Sequence, residues 1–132
     1  MAYNILIVDD SLTARTFIAR TLEIAGVALS NIYQAGNGQE ALAVLQREWV
    51  DLVFADINMP VMNGVELIRQ MRANDLFKAT PVIIISTDRS THRMNELKEA
   101  GVQAYLTKPI TPEELKATVE RFLAPGTGAT AP

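Results

Sequence analysis

The chain has 132 residues, 48% of them hydrophobic, and 15 acidic against 12 Lys and Arg side chains give a formal net charge of −3. That length suits one domain with a substantial core. The charge balance lacks the basic footprint of a nucleic-acid binder, and the absence of cysteine excludes disulfides, thiolate chemistry and zinc–thiolate sites.

The first predicted strand spans 4–9, where Ile5-Leu6-Ile7-Val8 runs into Asp9-Asp10. Four apolar residues are too few for a signal peptide or a membrane span, so a cytoplasmic chain without membrane insertion is expected. Ser11 can cap a helix over 12–25, with Leu12, Ile18, Leu22 and Ala25 on one face. A second strand over 31–35 leads to a helix over 38–48 carrying Ala41, Leu42 and Leu45. The third strand, 51–56, closes with Asp56. After it, Pro60 stiffens the loop and Asn63-Gly64 turns into a helix over 64–74 with Val65, Ile68 and Met71 inward. The fourth strand, 81–86, is the most apolar and ends on Ser86; Met94 and Leu97 share a face of the helix over 90–100. The fifth, 103–107, runs Ala104-Tyr105-Leu106-Thr107 into Lys108-Pro109, an X-Pro bond that could be cis. In Thr111-Pro112-Glu113-Glu114 a capping box with proline at the first helical position opens a helix over 112–123, with Leu115, Val119, Phe122 and Leu123 on one face. Gly26 and Gly101 fall where helices end, positions at which glycine accepts a left-handed backbone cheaply.

Five strand–helix units in succession predict an α/β fold: a doubly wound (βα)5 domain with a five-stranded parallel sheet and helices on both faces. Near-continuous apolar runs suit strands buried on both sides. The domain is expected over 1–123, with 124–132, Ala-Pro-Gly-Thr-Gly-Ala-Thr-Ala-Pro, as a disordered low-complexity tail.

In such a sheet Asp9, Asp10, Asp56, Ser86 and Lys108 all lie at the carboxyl edge, where open α/β sheets bind ligands. Two carboxylates about 4 Å apart repel by roughly 4 kcal/mol at an effective dielectric of about 20. A third makes this worse, and a hard cation such as Mg²⁺ relieves it, needing only one or two carboxylates besides water and phosphate oxygens. A lone Asp-Asp is ordinarily a solvated turn; the pair gains meaning from its companions. The Asp56 carboxylate is a competent phosphoryl acceptor, the Ser86 hydroxyl can donate to a phosphoryl oxygen, and Lys108, directly after a buried strand, can place its ammonium among the carboxylates.

The set Asp9-Asp10, Asp56, Met59-Pro60, Gly64, Ser86 and Lys108-Pro109 resembles the receiver domain of two-component response regulators over about residues 3–123. The intervals match too, thirty positions from Asp56 to Ser86 and twenty-two from Ser86 to Lys108. The length is similar to that of CheY-like single-domain receivers, whose fold is flavodoxin-like. The resemblance implies phosphorylation of Asp56 by a histidine kinase, Mg²⁺ held directly by Asp10 and Asp56, through water by Asp9, and by the Asn58 backbone carbonyl. It further implies Lys108 pairing with the phosphoryl group, Ser86 and Tyr105 as switch residues, and output through an effector or phosphotransfer protein. Thr87 departs from the small residue frequent in the family at that place.

Other features read as ordinary surface or packing. His92 is expected on a polar helix surface, Trp49 to pack near a helix end, Met59 and Met62 to pack in a loop, and Glu96, Lys98 and Glu99 to form a solvated face. Three alternatives stand beside a stand-alone signalling receiver: a phosphorelay intermediate, an aspartate-nucleophile phosphatase, and a scaffold without phosphorylation. The phosphatase reading is weakened by adjacent first-strand acids, because haloacid-dehalogenase-like enzymes usually space theirs by one residue.

Overall fold

The computed structural model describes residues 2–57, 59 and 61–123. Strands β1 (Tyr3–Val8), β2 (Leu29–Ala35), β3 (Leu52–Ala55), β4 (Val82–Ser86) and β5 (Ala104–Thr107) alternate with helices α1 (Leu12–Ile24), α2 (Gly38–Arg47), α3 (Gly64–Arg72), α4 (Thr91–Ala100) and α5 (Pro112–Leu123). Every strand pair is parallel, in the order β2-β1-β3-β4-β5. This is the doubly wound (βα)5 architecture, CheY-like and flavodoxin-like, with element ends within about two residues of expectation, the usual scatter at frayed termini. The expected tail, Asn58 and Pro60 lie outside the described residues.

Strand alternation divides the core in two. Leu6, Val8, Val53, Ala55, Val82 and Ile84 pack on the α2–α4 side, whereas Ile5, Ile7, Leu52, Phe54, Ile83 and Ile85 pack on the α1 and α5 side. Both sides are dry, so β1, β3 and β4 need apolar residues at consecutive positions, and each unbroken run follows from that. No described helix is long and apolar enough to cross a membrane.

The caps expected at Ser11 and Thr111 form, and caps that the residues alone did not announce join them at Asn37, Asn63 and Ser90. Ser11 accepts from the Ala14 amide, and Asn37, Asn63 and Ser90 cap α2, α3 and α4 likewise. Thr111 and Glu114 exchange bonds of 3.1 Å in each direction, a closed capping box. Gly101 takes φ 107° at the end of α4.

Three packing expectations need correction. Leu12 is 64% exposed. It precedes Ile18 by six residues and Leu22 by ten, which at about 100° per residue puts it roughly 100° off the centre of the face they form. On α2 the buried partner of Ala41 and Leu45 is Val44, with Leu42 half-buried. Trp49 does not pack but is 73% exposed, its indole N–H donating to Asp51 at 2.9 Å. His92 is exposed and Met59 is buried, as expected. Glu96 is half-buried and pairs with Arg93 at 2.8 Å, so only Lys98 and Glu99 of that trio are fully solvated.

Candidate functional site

The site is assembled by strand order. β1 and β3 are neighbours with Val8 opposite Ala55, so the next residues, Asp9 and Asp56, emerge side by side. The Asp56 amide donates to the Val8 carbonyl at 2.9 Å and the Asp9 amide to Ala35 at 3.0 Å, carrying the ladder one step past each strand end. Asp9 is buried, Asp56 half-buried and Asp10 exposed, and one carboxylate oxygen from each lies within 4.8 Å of the others. The Asp9 carboxylate accepts from the Ser11 amide at 2.9 Å and faces the Lys108 ammonium at 3.5 Å.

Lys108 arrives from the end of β5, three positions along the sheet from β1. Ser86 lies opposite Thr107 in the β4–β5 ladder, and the Lys108 amide donates to the Ser86 carbonyl at 2.8 Å before the cis Lys108–Pro109 bond turns the chain. One ammonium against three carboxylates leaves an excess of negative charge. An all-oxygen donor set with that excess fits a hard divalent cation.

Beneath Asp56, the backbone of α3 comes unusually close. A Cβ on Gly64 would sit 2.8 Å from the Asp56 carbonyl oxygen and 3.0 Å from the Ile57 Cα, and the Gly64 amide donates to Ile57 at 2.9 Å. The Asn63-Gly64 pair therefore does two jobs: Asn63 caps α3, and Gly64 lets the helix touch the loop that carries Asp56. In the same loop Val61 holds φ 67°, a left-handed backbone that a β-branched residue rarely tolerates.

Ser86 and Tyr105 share the α2–α4 side of the sheet. Ser86 is buried and its hydroxyl accepts from the Asp88 amide at 3.1 Å. The half-buried Tyr105 donates its hydroxyl to the Asp88 carbonyl. Burial pushes the Tyr105 phenol above its ordinary value; hydrogen bonding with Ser86 pulls the other way, and the charges of Asp88 and Asp56 add to the rise. The Asp88 carboxyl is held below its usual range chiefly by the Ser90 backbone amide at 2.8 Å, against an opposing effect of burial, with the Ser90 side chain and Arg93 assisting. Arg93 faces Asp88 at 3.8 Å. Thus the β4–α4 loop is tied at one residue to both Ser86 and Tyr105.

Of the residues expected at the site, Asp9, Asp10, Asp56 and Lys108 converge, Ser86 and Tyr105 flank them, and Asn58 lies outside the described residues. Sequence reasoning missed Arg15. Its guanidinium donates to the Asp9 carbonyl at 2.7 Å and to Gln34 at 2.9 Å. A signal was present: α1 has no acidic residue in its first turn, and a cation so close to a helix N-terminus opposes the macrodipole, so it calls for another partner.

Comparison with known proteins agrees with this geometry. The response regulator receiver domain family matches residues 5–120. A chemotaxis protein CheY homolog of Campylobacter jejuni is 37% identical over 126 residues, 95% of each chain. The solved structure of Vibrio cholerae chemotaxis protein CheY4 superposes with a TM-score of 0.83 at 36% identity, covering 93% of this chain and all of that one. The receiver domain of a Pseudomonas aeruginosa sensor histidine kinase, which has a magnesium ion coordinated in its active-site cleft, shares the fold with a TM-score of 0.82 at 24% identity, over 92% of this chain and 98% of its own. The chain belongs to the response regulator receiver family, as a CheY-like member of two-component signalling. It is a signalling protein, which disposes of the phosphatase alternative.

Proposed function

We propose that the receiver unit, residues 1–123, takes a phosphoryl group on Asp56 from the phosphohistidine of a histidine kinase in the cytoplasm. A carboxylate oxygen of Asp56 attacks phosphorus, the bond from phosphorus to the kinase imidazole nitrogen breaks, and an acyl phosphate forms. The observation that carries this reading is the convergence of three carboxylates within 4.8 Å, with Lys108 against Asp9. Asp10 and Asp56 would hold Mg²⁺, with Asp9 reaching it through water and the Asn58 carbonyl completing the set. When bound, Mg²⁺ supplies neutralisation of the phosphoryl oxygens, on which phosphoryl transfer chiefly depends.

The surrounding side chains do the rest. Lys108 pairs with the phosphoryl group. Ser86 swings its hydroxyl from the Asp88 amide to a phosphoryl oxygen, which loosens the β4–α4 loop that Tyr105 also grips. The output is a changed surface around α4, β5 and α5, read by an effector or phosphotransfer protein. Such a change needs only a few kcal/mol of differential stabilisation between pre-existing states.

Treatment with Mg²⁺ and a small acyl phosphate, followed by intact mass measurement, tests the assignment. The wild type gains one phosphoryl group and Asp56→Asn gains none. Labelling of Asp56→Asn to the wild-type extent would overturn it.

A further inference from the structure

We propose that Arg15 is a positioning residue for the acidic pocket: it fixes the Asp9–Asp10 peptide and thereby sets the affinity for Mg²⁺. The inference rests on the metal reading given above.

The geometry is a bridge. Arg15 stands on the first turn of α1 and is half-buried. One arm of its guanidinium takes the Asp9 carbonyl at 2.7 Å, and the other takes the Gln34 side chain, near the end of β2, at 2.9 Å. The Asp9 carbonyl belongs to the planar peptide unit that begins Asp10. Holding that oxygen therefore fixes the direction in which Asp10 leaves the strand. Asp9 is already fixed through its side chain by Ser11 and Lys108. Asp10 is exposed, and its backbone is what Arg15 holds. The planar fork suits the task, since one guanidinium can grip two oxygens at a set angle.

Positioning and simple electrostatics predict opposite signs. Removing the cation that sits on the Asp9 backbone carbonyl lowers the positive charge near the acidic pocket and strengthens attraction for Mg²⁺. Releasing a group that orients a metal ligand weakens it, by about tenfold or more where such partners have been removed elsewhere.

Mg²⁺ titration by calorimetry on the full chain, with Asp10→Ala as the control for lost ligation, separates the two. Arg15→Gln is expected to weaken Mg²⁺ binding about tenfold. Arg15→Lys should recover part of the loss, because an ammonium reaches the Asp9 carbonyl but cannot grip Gln34 in the same fork. Gln34→Ala should shift affinity in the same direction by less, and add little on top of Arg15→Gln, the non-additivity of a shared bridge. Affinity in Arg15→Gln equal to or above wild type overturns the inference while leaving the metal reading intact. Absence of Mg²⁺ binding by the wild type overturns both. Should Arg15→Gln fail to fold, Gln34→Ala reads the same bridge, and wild-type affinity in that variant overturns the proposal.

Discussion

Asp9 and Asp10 are chemically identical neighbours with different tasks, because the fold buries one and exposes the other while keeping a carboxylate oxygen of each within 4.8 Å of the other. Asp9 turns inward to Lys108 and is 3% exposed; Asp10 faces solvent, open to a ligand. Tyr105 shows the same dependence on surroundings. Its phenol is raised mainly by burial, and in the neutral form it donates to the Asp88 carbonyl. A raised value in the folded state means that this contribution to stability is fully present below the ordinary tyrosine value of about 10. It is lost as pH rises through the higher folded value, because phenolate cannot donate. The tyrosinate absorbance lost in Tyr105→Phe, taken as a difference titration, should therefore have its midpoint above about 10. A midpoint at or below that figure would show that the ring is not buried against the β4–α4 loop.

At the level of elements, the contact between the start of α3 and the end of β3 matters most. Helix and loop meet backbone to backbone at Gly64, so a side chain there has no flexible neighbour to push aside. Gly64→Ala should cost about 1–3 kcal/mol in chemical denaturation, the usual range for overpacking, and should also slow acyl phosphate labelling by displacing Asp56. Loss of stability with an unchanged labelling rate would mean that the loop yields without moving the carboxylate. By contrast, α1 touches the sheet through Ile18, Thr21 and Leu22 and leaves Leu12, Phe17 and Ile24 exposed.

Across the whole molecule, the two edges of the sheet have separate duties. The carboxyl edge gathers charge that repels itself, a cost to stability. At the opposite edge Arg72 binds the carbonyls of Lys78, Thr80 and Gly101 and the side chain of Gln103, joining the end of α3 to the entries of β4 and β5. Burial lowers the Arg72 guanidinium from its ordinary value. Arg72→Met leaves those acceptors without their donor and should lower stability by about 2–3 kcal/mol. Mg²⁺ affinity should stay at the wild-type value, since no site residue is touched. A parallel loss of affinity in the same titration would show that the two edges are coupled.

The sequence by itself determined the elements and the residue types at their ends. Apolar runs, cap residues and the capping box at Thr111 act over a few positions, so β1 to β5 and α1 to α5 are legible in the residues alone, and the acids, Ser86 and Lys108 fall at strand ends. The family resemblance then supplied their expected roles. Only the tertiary structure decided which ends meet. Buried parallel strands look alike in sequence, because dry packing on both faces asks for the same residues in each, and nothing local names a strand's neighbour. Placing β1 beside β3 and β5 beside β4 brings Asp56 against Asp9 and carries Lys108 across 99 positions to the same carboxylate. The placement of α1 on the sheet was equally hidden: periodicity marks an apolar stripe, but docking decided that Arg15 reaches the Asp9 carbonyl.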